Sequence, residues 1–549
     1  MDIKTKMATA PITVPRTLRM HTARGLTSLP AGKMVPIAAI PLFREDAVRS
    51  GRLRFSFESM ETAEILMNAI NVKVSAYLVP TLALDRFEGS MDQLNRSWEG
   101  IAFKALPVVP FITTHPFGPG GANAVYKYLG LHGRDTQEVN DMYLETYNQI
   151  WNFRARNRSK NIPLRSRLQG DLAPAFWLHE RFKHIVPDFD QAVIDGQVAL
   201  NVVNSKLAVK GIGVEIATPA ATTGTTVRLS EGGYVTAAAT APNRFTSPAA
   251  GDRQAMIRTK EVGVGTWYPD VWAEMAANGI TVSLSNIELA RKTQAFAKLR
   301  EQYQGQPDEW LINMLMDGLT VPEAALAQPM LIGERTTVFG MSKRYASDAD
   351  NLTKSVVNGA TFVDLSIQVP RIPTGGVIMI VAEVTPDQLF ERQRDPFLNA
   401  QTVDALPHYL RDTLDPEKVS VVPNEHVDMD HSTPNATFGY APLNYEWNVE
   451  VPRIGGRFYR PDVTAGFDED RQRIWAVETA NPTLAADFYL CTTMHTKPFV
   501  VTNQDPFECV TQGDLIIEGN TVFGGLLHEA TNNYAKVLAE APQDRIVKA

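Results

Sequence analysis

The sequence has very little cysteine and no long apolar run. Its only two thiols, Cys491 and Cys509, cannot form a disulfide framework in a chain of 549 residues, which fits assembly or residence in a reducing compartment. No run approaches the roughly 18 apolar residues of a membrane span. The first residues, MDIKTKMATAPITVP, lack the apolar core of a signal peptide. These absences predict a soluble, non-secreted protein.

The sequence also lacks the common catalytic motifs. It has no Gly-x-Ser-x-Gly elbow and no Walker loop, and Gly211-Ile-Gly213 lacks the third glycine of a dinucleotide fingerprint. His179 and His184 are five residues apart, whereas a zinc-protease helix needs a spacing of four to place both imidazoles on one face. We therefore predict that the protein is not an enzyme.

One short segment is rich in groups that bind metal ions. Between Glu425 and His431, carboxylates alternate with imidazoles, and such donors within seven residues would suit a divalent cation. The alternative is a solvated acidic loop. The candidate ligands are His426, Asp428, Asp430 and His431.

The net charge of −8 argues against a wholly basic nucleic-acid-binding protein, but two segments are locally basic. Residues 1–24 form either a solvated arm or an arm that lies on an anionic partner. The second segment follows a helix that we predict to open with a capping box at Asp135–Glu138. Its arginines would contact either DNA or acids on a neighbouring subunit, and Trp151 would either stack on bases or pack in the core. The candidate nucleic-acid-binding residues are Lys4, Lys6, Arg16, Arg19, Arg24, Trp151, Phe153, Arg154, Arg156, Arg158, Lys160, Arg165 and Arg167.

Strand patterns near the start of the chain match strand patterns far along it. Apolar and polar residues alternate in 361–369, and 376–385 is apolar on both faces, as in a strand buried within a sheet. Their candidate partners are 33–40, 52–57 and 71–80. This long-range pairing predicts an antiparallel β-sandwich with Greek-key connections and helices and loops inserted between strands.

The segment 195–260 is rich in Ala, Thr, Gly and Val and poor in large apolar residues. We predict that it projects from a scaffold, the alternative being a gasket that lies flat between subunits. The predicted organisation is a basic N-terminal arm (1–30), one core domain (31–510) with insertions at about 85–340, and a C-terminal extension (511–549). Further strands are expected at 437–442, 487–493 and 513–518.

An ordered set of short motifs resembles the major capsid protein of the Microviridae, the small icosahedral single-stranded DNA bacteriophages. The set covers most of the chain from about 25 to 500, and the insertion at 195–260 and the tail beyond Pro506 fall outside it. The motifs are Ser28–Ile37, Tyr77–Pro80, Tyr147–Phe153, Gln328–Gly333, Phe438–Pro442 and Gly456–Phe458.

The resemblance implies an eight-stranded antiparallel jelly roll with large insertions that self-assembles into the simplest icosahedral (T=1) shell around a circular single-stranded DNA genome. It implies a location in the virion, with assembly in the bacterial cytoplasm. The candidate further partners are a small basic DNA-packaging protein, a scaffold, a pilot protein and a host surface receptor bound by outer loops. The rival functions are a jelly-roll protein that binds or cleaves carbohydrate and, less favoured, a cupin-type metal enzyme.

Overall fold

The computed structural model describes residues 15–102, 107–119, 123–177, 325–344, 356–390, 392–407, 419–448, 453–459 and 479–524, with shorter stretches between some of these ranges. The chain divides into two compact units, one formed by Met1–Phe189 with Thr320–Ala549 and the other by Asp190–Leu319. The protein is mainly β, with 37% strand against 19% helix, and its sheets are antiparallel.

Nine long-range strands build two sheets in the first unit. A five-stranded sheet has the order β1-β9-β3-β7-β6, and a four-stranded sheet has the order β5-β4-β8-β2. The strands are β1 (Thr17–Leu29), β2 (Met34–Leu42), β3 (Ala47–Ser59), β4 (Ile70–Pro80), β5 (Met330–Val338), β6 (Gly340–Arg344), β7 (Val356–Val369), β8 (Gly376–Pro386) and β9 (Phe507–Gly519).

The two sheets share one hydrophobic core. Every residue of β8 is buried, as its continuous apolar run predicts, because β8 is an inner strand between β4 and β2. In β3 the alternation places Leu53, Phe55 and Phe57 inside, each 0% exposed. Between the sheets, the Thr337 and Thr361 hydroxyls of β5 and β7 are hydrogen-bonded at 3.2 Å.

In the described part of the long connection between β4 and β5 lie three helices of more than one turn. The first begins after Ser90, whose Oγ accepts a hydrogen bond from the Gln93 amide at 3.3 Å, and ends at Gly100 in the left-handed conformation. These helices are α1 (Met91–Glu99), α2 (Ala124–Leu129) and α3 (Met142–Arg158).

Shorter elements complete the description. A single helical turn, α4, spans Ala486–Tyr489, and 3-10 turns span Thr81–Ala83, Asp85–Phe87, Val403–Ala405, Asn424–His426, Tyr445–Trp447 and Gly456–Phe458. Strand pairs outside the large sheets join Thr114–Pro116 to Glu138–Asn140 and Val419–Pro423 to Thr437–Pro442. In the second unit, Lys206–Ala208 pairs with Trp272–Glu274, Thr226–Arg228 with Tyr234–Thr236, and Thr259–Gly263 with Thr266–Pro269.

The predicted pairing of early with late strands is confirmed. β8 is hydrogen-bonded to β2 and β4, and β7 to β3, each antiparallel. The strand predicted at 437–442 is also present, whereas 487–493 begins as α4 and not as a strand. Most of 195–260 lies outside the described residues, so its predicted projection from the scaffold stays a prediction.

Both predicted chain ends need correction. The arm at 1–30 contains β1, which pairs with β9 along its whole length. The extension at 511–549 begins inside β9, which is an inner strand of the five-stranded sheet between β1 and β3. The core domain therefore extends beyond 31–510 at both ends. The two large sheets hold five and four strands, one more in total than the eight predicted.

The predicted start of α3 is also wrong. Residues Glu138–Asn140, which include the last residue of the proposed capping box, form a strand paired with Thr114–Pro116. The helix begins at Met142, and the Asp141 side chain makes no capping bond because its carboxylate binds Thr113 and Arg167 instead.

Candidate nucleic-acid interface

The basic segment at 154–167 lies only partly on the protein surface, because several of its arginines are turned into the protein. The helix α3 that leads into it has ten buried residues and packs on β4 and β8, so its apolar side chains are used in the core. Trp151 is 2% exposed, and its indole Nε1 donates to the Pro174 carbonyl at 2.9 Å. Phe153 is partly buried against the same core. Of the two alternatives for Trp151, core packing is the one observed.

Arg154 forms a buried ion pair with a strand of the second sheet. Its Nη1 and Nη2 donate to the two carboxylate oxygens of Glu383 at 2.6 and 2.8 Å, and its guanidinium lies 4.6 Å from the Phe176 ring centroid. Burial opposes the charge of Arg154, but attraction to Glu383 outweighs it, so the pKa of Arg154 lies above its ordinary value. This arginine holds α3 to β8 and is closed to DNA.

Arg165 and Arg167 also bind acids of the same chain. Arg165 is buried, and its Nη1 donates to Asp171 Oδ2 at 3.3 Å while its Nη2 donates to the Asp171 carbonyl at 2.5 Å. Arg167 donates to Asp141 at 2.8 Å and lies 3.7 Å from Glu145. The sequence left two predicted partners for these arginines, DNA and acids of a neighbouring subunit. The structure shows a third partner, acids of the same chain, so Arg165 and Arg167 hold the segment that follows α3 in place.

A buried acid lies at the centre of that network. Glu145 is fully buried and is hydrogen-bonded to Arg86, whose Nη2 also donates to the Phe111 carbonyl at 3.0 Å. Burial raises the pKa of Glu145, and the charge of Arg86 opposes that rise.

The remaining cations near the end of α3 are more accessible. Arg156 is exposed, and Lys160 pairs with Asp188 at 3.0 Å, both side chains being more than half exposed. Arg158 is half-buried with its guanidinium 5.0 Å from the Tyr489 ring, and burial lowers its pKa. Among the six predicted cations of this segment, only Arg156 and Lys160 are exposed.

The described cations of the N-terminal arm lie in β1 or just before it. Arg16 Nε is 2.8 Å from Glu518 of β9, and Arg19 Nη2 is 2.6 Å from Asp46 in the loop between β2 and β3, so both arginines bind acids of the same chain. Arg24 is exposed. Lys4 and Lys6 lie outside the described residues.

The acidic half of the predicted metal cluster is bound to an arginine. Asp428 and Asp430 are 2.7 and 3.1 Å from the guanidinium of Arg392. An arginine between two carboxylates supplies the positive charge that a metal ion would otherwise bring.

The two histidines of the cluster face different partners. His426 Nε2 accepts from Arg394 Nη1 at 2.6 Å, and His431 Nδ1 accepts from the Thr433 amide at 3.1 Å. Within the described part of the chain, no three His, Cys, Asp or Glu side chains are arranged to hold a metal ion. The structure therefore does not bring the four predicted ligands together around one point, and the divalent-cation site stays a prediction.

A second group of arginines, near the start of β3, was not among the predicted nucleic-acid-binding residues. Four arginines lie between residues 44 and 54, a density that the charge count would have revealed. Arg49 lines a pocket of about 590 Å³ at one end of the five-stranded sheet, together with Arg16 and Arg371. Arg52 and Arg54 lie on the outer face of the same sheet, with side chains 74% and 59% exposed, beside Asp364 of β7.

No protein-family model matches this chain, and no curated protein matches it. Among the described residues, no helix has both the length and the apolar character needed to cross a membrane.

Proposed function

We propose that this protein is the major capsid protein of a Microviridae-like virus. In this proposal it is a non-enzymatic subunit that self-assembles into a T=1 icosahedral shell around a circular single-stranded DNA genome. Assembly would occur in the bacterial cytoplasm, and the mature location would be the virion. The motif resemblance suggests this function, and the strand order of the two large sheets is the observation that carries it.

The strand order supports the proposal because it agrees with the order expected of a jelly roll. If the short β6 is set aside and the eight long strands are numbered along the chain, the sheets have the orders 1-8-3-6 and 5-4-7-2. Consecutive strands then alternate between sheets at almost every step, which is how two Greek keys interlock in viral capsid domains. Such a fold also occurs in lectins and cupins, so the fold alone does not choose the function.

The long connections favour a shell subunit over a lone binding domain. Residues 81–329 join β4 to β5, and 387–506 join β8 to β9, so two connections hold most of the chain. The described part of the second connection exposes large apolar side chains: Phe397 is 74% exposed, Leu398 82% and Val403 78%. Apolar groups so exposed in one subunit suit burial between copies.

The test is to express the full chain and examine it by negative-stain microscopy, with nuclease treatment before nucleic-acid extraction. The expected result is uniform small icosahedral particles that protect circular single-stranded DNA. A matched pair of variants, Leu398→Asp and Val522→Asp, asks whether the apolar loop contributes, since Val522 is equally exposed at 84% but follows β9.

Loss of particles with Leu398→Asp alone would place that loop in a contact between copies. A protein that stays monomeric at all concentrations and binds oligosaccharides would overturn the proposal in favour of the carbohydrate-binding alternative. The proposed additional partners are a small basic DNA-packaging protein, a scaffold, a pilot protein and a host receptor. Co-purification from infected cells would identify those that bind.

A further inference from the structure

One end of the five-stranded sheet carries a pocket with an excess of arginine. It lies where β1 and β3 begin and where β7 and β9 end, and its volume is about 590 Å³. Three guanidinium groups line it, with a single carboxylate, that of Glu518. The lining residues are Arg16, Ala47, Val48, Arg49, Gln368, Val369, Pro370, Arg371 and Glu518.

A β-bulge directs one of these arginines. On β9, Ile516 pairs with Ser50 and Ile517 with Val48, so Arg49 has no partner on that strand. The pairing of β3 with β7 is irregular at the same place. A bulge leaves its extra residue outside the ladder and re-aims its side chain, which here places Arg49 at the pocket. Because two ladders are broken at one residue, the feature is built into the sheet.

The three arginines differ in how much of their hydrogen-bonding capacity is used. Arg16 is fixed: its Nη2 donates to the Glu45 and Glu518 carbonyls at 2.7 and 3.0 Å, and its Nε lies 2.8 Å from the Glu518 carboxylate. Arg49 and Arg371 each use Nε to bind one carboxylate, Glu518 and Glu45 respectively.

Their remaining donors face solvent. The side chains of Arg49 and Arg371 are 65% and 56% exposed, and the structure records no bond from their Nη atoms to any described residue. A guanidinium has five N–H donors in a planar fork that matches a phosphate. The hydrogen bond from Arg49 lowers the pKa of Glu518, which stays ionised, so three positive charges face two negative ones.

Two exposed aromatic rings lie next to arginines near Glu45, the partner of Arg371: Phe43 is on the loop between β2 and β3, and Trp98 is in α1. Arg44, next to Glu45, donates from Nε to the Pro373 carbonyl at 3.1 Å and lies 5.3 Å from the Trp98 ring centroid. Trp98 is 53% exposed, and Phe43 is 51% exposed under Arg19, 4.6 Å away. Trp98 also contacts Phe111 edge to face, with ring centroids 4.8 Å apart. Exposed rings beside arginines are surfaces on which unpaired bases stack.

We propose that this pocket binds a backbone phosphate of single-stranded DNA through Arg49 and Arg371, while Trp98 and Phe43 stack on adjacent bases. The inference rests on the proposed function for the identity of the nucleic acid. The aromatic neighbours favour an unpaired strand, because bases inside a duplex do not offer their faces to side chains. Arg16 acts as a positioning residue that holds Glu518 and the loop at Glu45.

The test compares two double variants of the full chain with equal loss of charge. Arg49→Gln/Arg371→Gln removes the two guanidinium groups whose Nη atoms face solvent at the pocket. Arg52→Gln/Arg54→Gln removes two exposed arginines from the outer face of the same sheet. Binding of a fluorescent oligothymidine to the unassembled subunit is measured by anisotropy over a range of salt concentrations, with inorganic phosphate as competitor.

The pocket variant should bind at least about tenfold more weakly, and its salt slope should fall by about 0.7, since the pocket holds one phosphate and each phosphate of a single strand contributes about 0.7. The control should change affinity less than about threefold. Equal losses in both variants would overturn the proposal, because they would show only diffuse charge attraction. Competition by phosphate without any binding of oligothymidine would overturn it in favour of a small-anion site.

The aromatic part is tested with Trp98→Leu against Phe362→Leu, the latter on the outer face of β7 with 67% exposure. Trp98→Leu should weaken binding by about fivefold or more, as the loss of one base stack does, and an equal effect of both variants would contradict the stacking role. The same measurements separate this proposal from the proposed function. Wild-type protein that never forms particles yet binds oligothymidine through the pocket would refute the capsid role and leave the binding site supported.

Discussion

The ion pair between Arg154 and Glu383 offers a sharp test of how α3 is attached to the sheet. The side chains are 12% and 4% exposed, and both guanidinium Nη atoms bind the carboxylate, so neither charge has water as an alternative partner. Arg154→Met removes the cation with little change in the length of the side chain. It leaves Glu383 buried without its partner on the inner strand β8.

The expected cost follows from that geometry. Removing one member of a buried pair destabilises a protein by about 3–5 kcal/mol, because an uncompensated charge remains in the interior. Replacing both members, as in Arg154→Met/Glu383→Met, removes that charge as well. The double variant should therefore lie within about 2 kcal/mol of the wild type or be more stable, as replacements of buried pairs by apolar residues often are.

The assay is urea unfolding of the purified subunit, with free energies of unfolding compared at equal slope. Arg54→Met is the matched control, since Arg54 forms a similar pair with Asp364 at 3.0 Å but with 59% and 46% exposure. That variant should lower the free energy of unfolding far less than Arg154→Met does, because an exposed ion pair contributes little to stability. The reasoning is refuted if Arg154→Met costs as little as the control, or if the single effects of the buried pair simply add in the double variant.

Two further predictions concern titratable groups in the core. Burial raises the pKa of Glu145 above its ordinary 4.5. Between pH 4.5 and that raised pKa, the native protein therefore keeps a proton on Glu145 that the unfolded chain has released. The stabilisation from this bound proton is complete below pH 4.5 and is lost as the pH rises through the raised pKa. Glu145→Gln should therefore flatten the dependence of the free energy of unfolding on pH in that range. An unchanged pH dependence would count against the raised pKa. Burial raises the pKa of Cys509 to about 12 and that of Cys491 well above the ordinary range, so an aromatic disulfide reagent at mildly alkaline pH should label both thiols in urea and neither in the native protein. Rapid labelling without urea would contradict the buried placement.

The sequence predicted the strands correctly where one face of a strand, or the whole strand, is buried. The alternation of Leu53, Phe55 and Phe57 identified β3 because a period of two is typical of a strand with one buried face. The continuous apolar run of β8 identified a buried strand because it is rich in β-branched residues and follows a turn. The pairing of early with late strands followed because such strands need partners that local sequence did not provide.

The same logic failed for β1. Its apolar residues Leu18 and Met20 are 65% and 72% exposed, while Arg19 points inward to Asp46. Periodicity reports two faces but not which of them is covered, so a strand with its polar face inside resembles a solvated arm. Leu26, 77% exposed, continues the outward apolar face of the same strand.

The basic cluster was misinterpreted for a related reason. Local counting found no acid near Arg154, yet its partner Glu383 is 229 residues away along the chain. The acids that neutralise Arg167 precede it by 26 and 22 residues, on α3 and its N-cap. Charge in a folded protein is balanced in space, so a cluster in sequence predicts a charged surface only where the fold leaves it unpaired.

The position of β9 has a consequence for synthesis on the ribosome. This strand fills the gap between β1 and β3, yet it is made after the other four strands of the sheet, so the sheet remains incomplete until residue 519 has emerged. At about 5–20 residues per second, the roughly 450 residues that separate β3 from β9 take on the order of 20–90 s to translate. Throughout that interval, β1 and β3 expose unpaired backbone edges, and the strand that fits them best is the β9 of a neighbouring chain completed earlier. Dense polysomes translating this message would thus favour exchange of the last strand between subunits, and crowding of nascent chains becomes a hazard that the cell must manage.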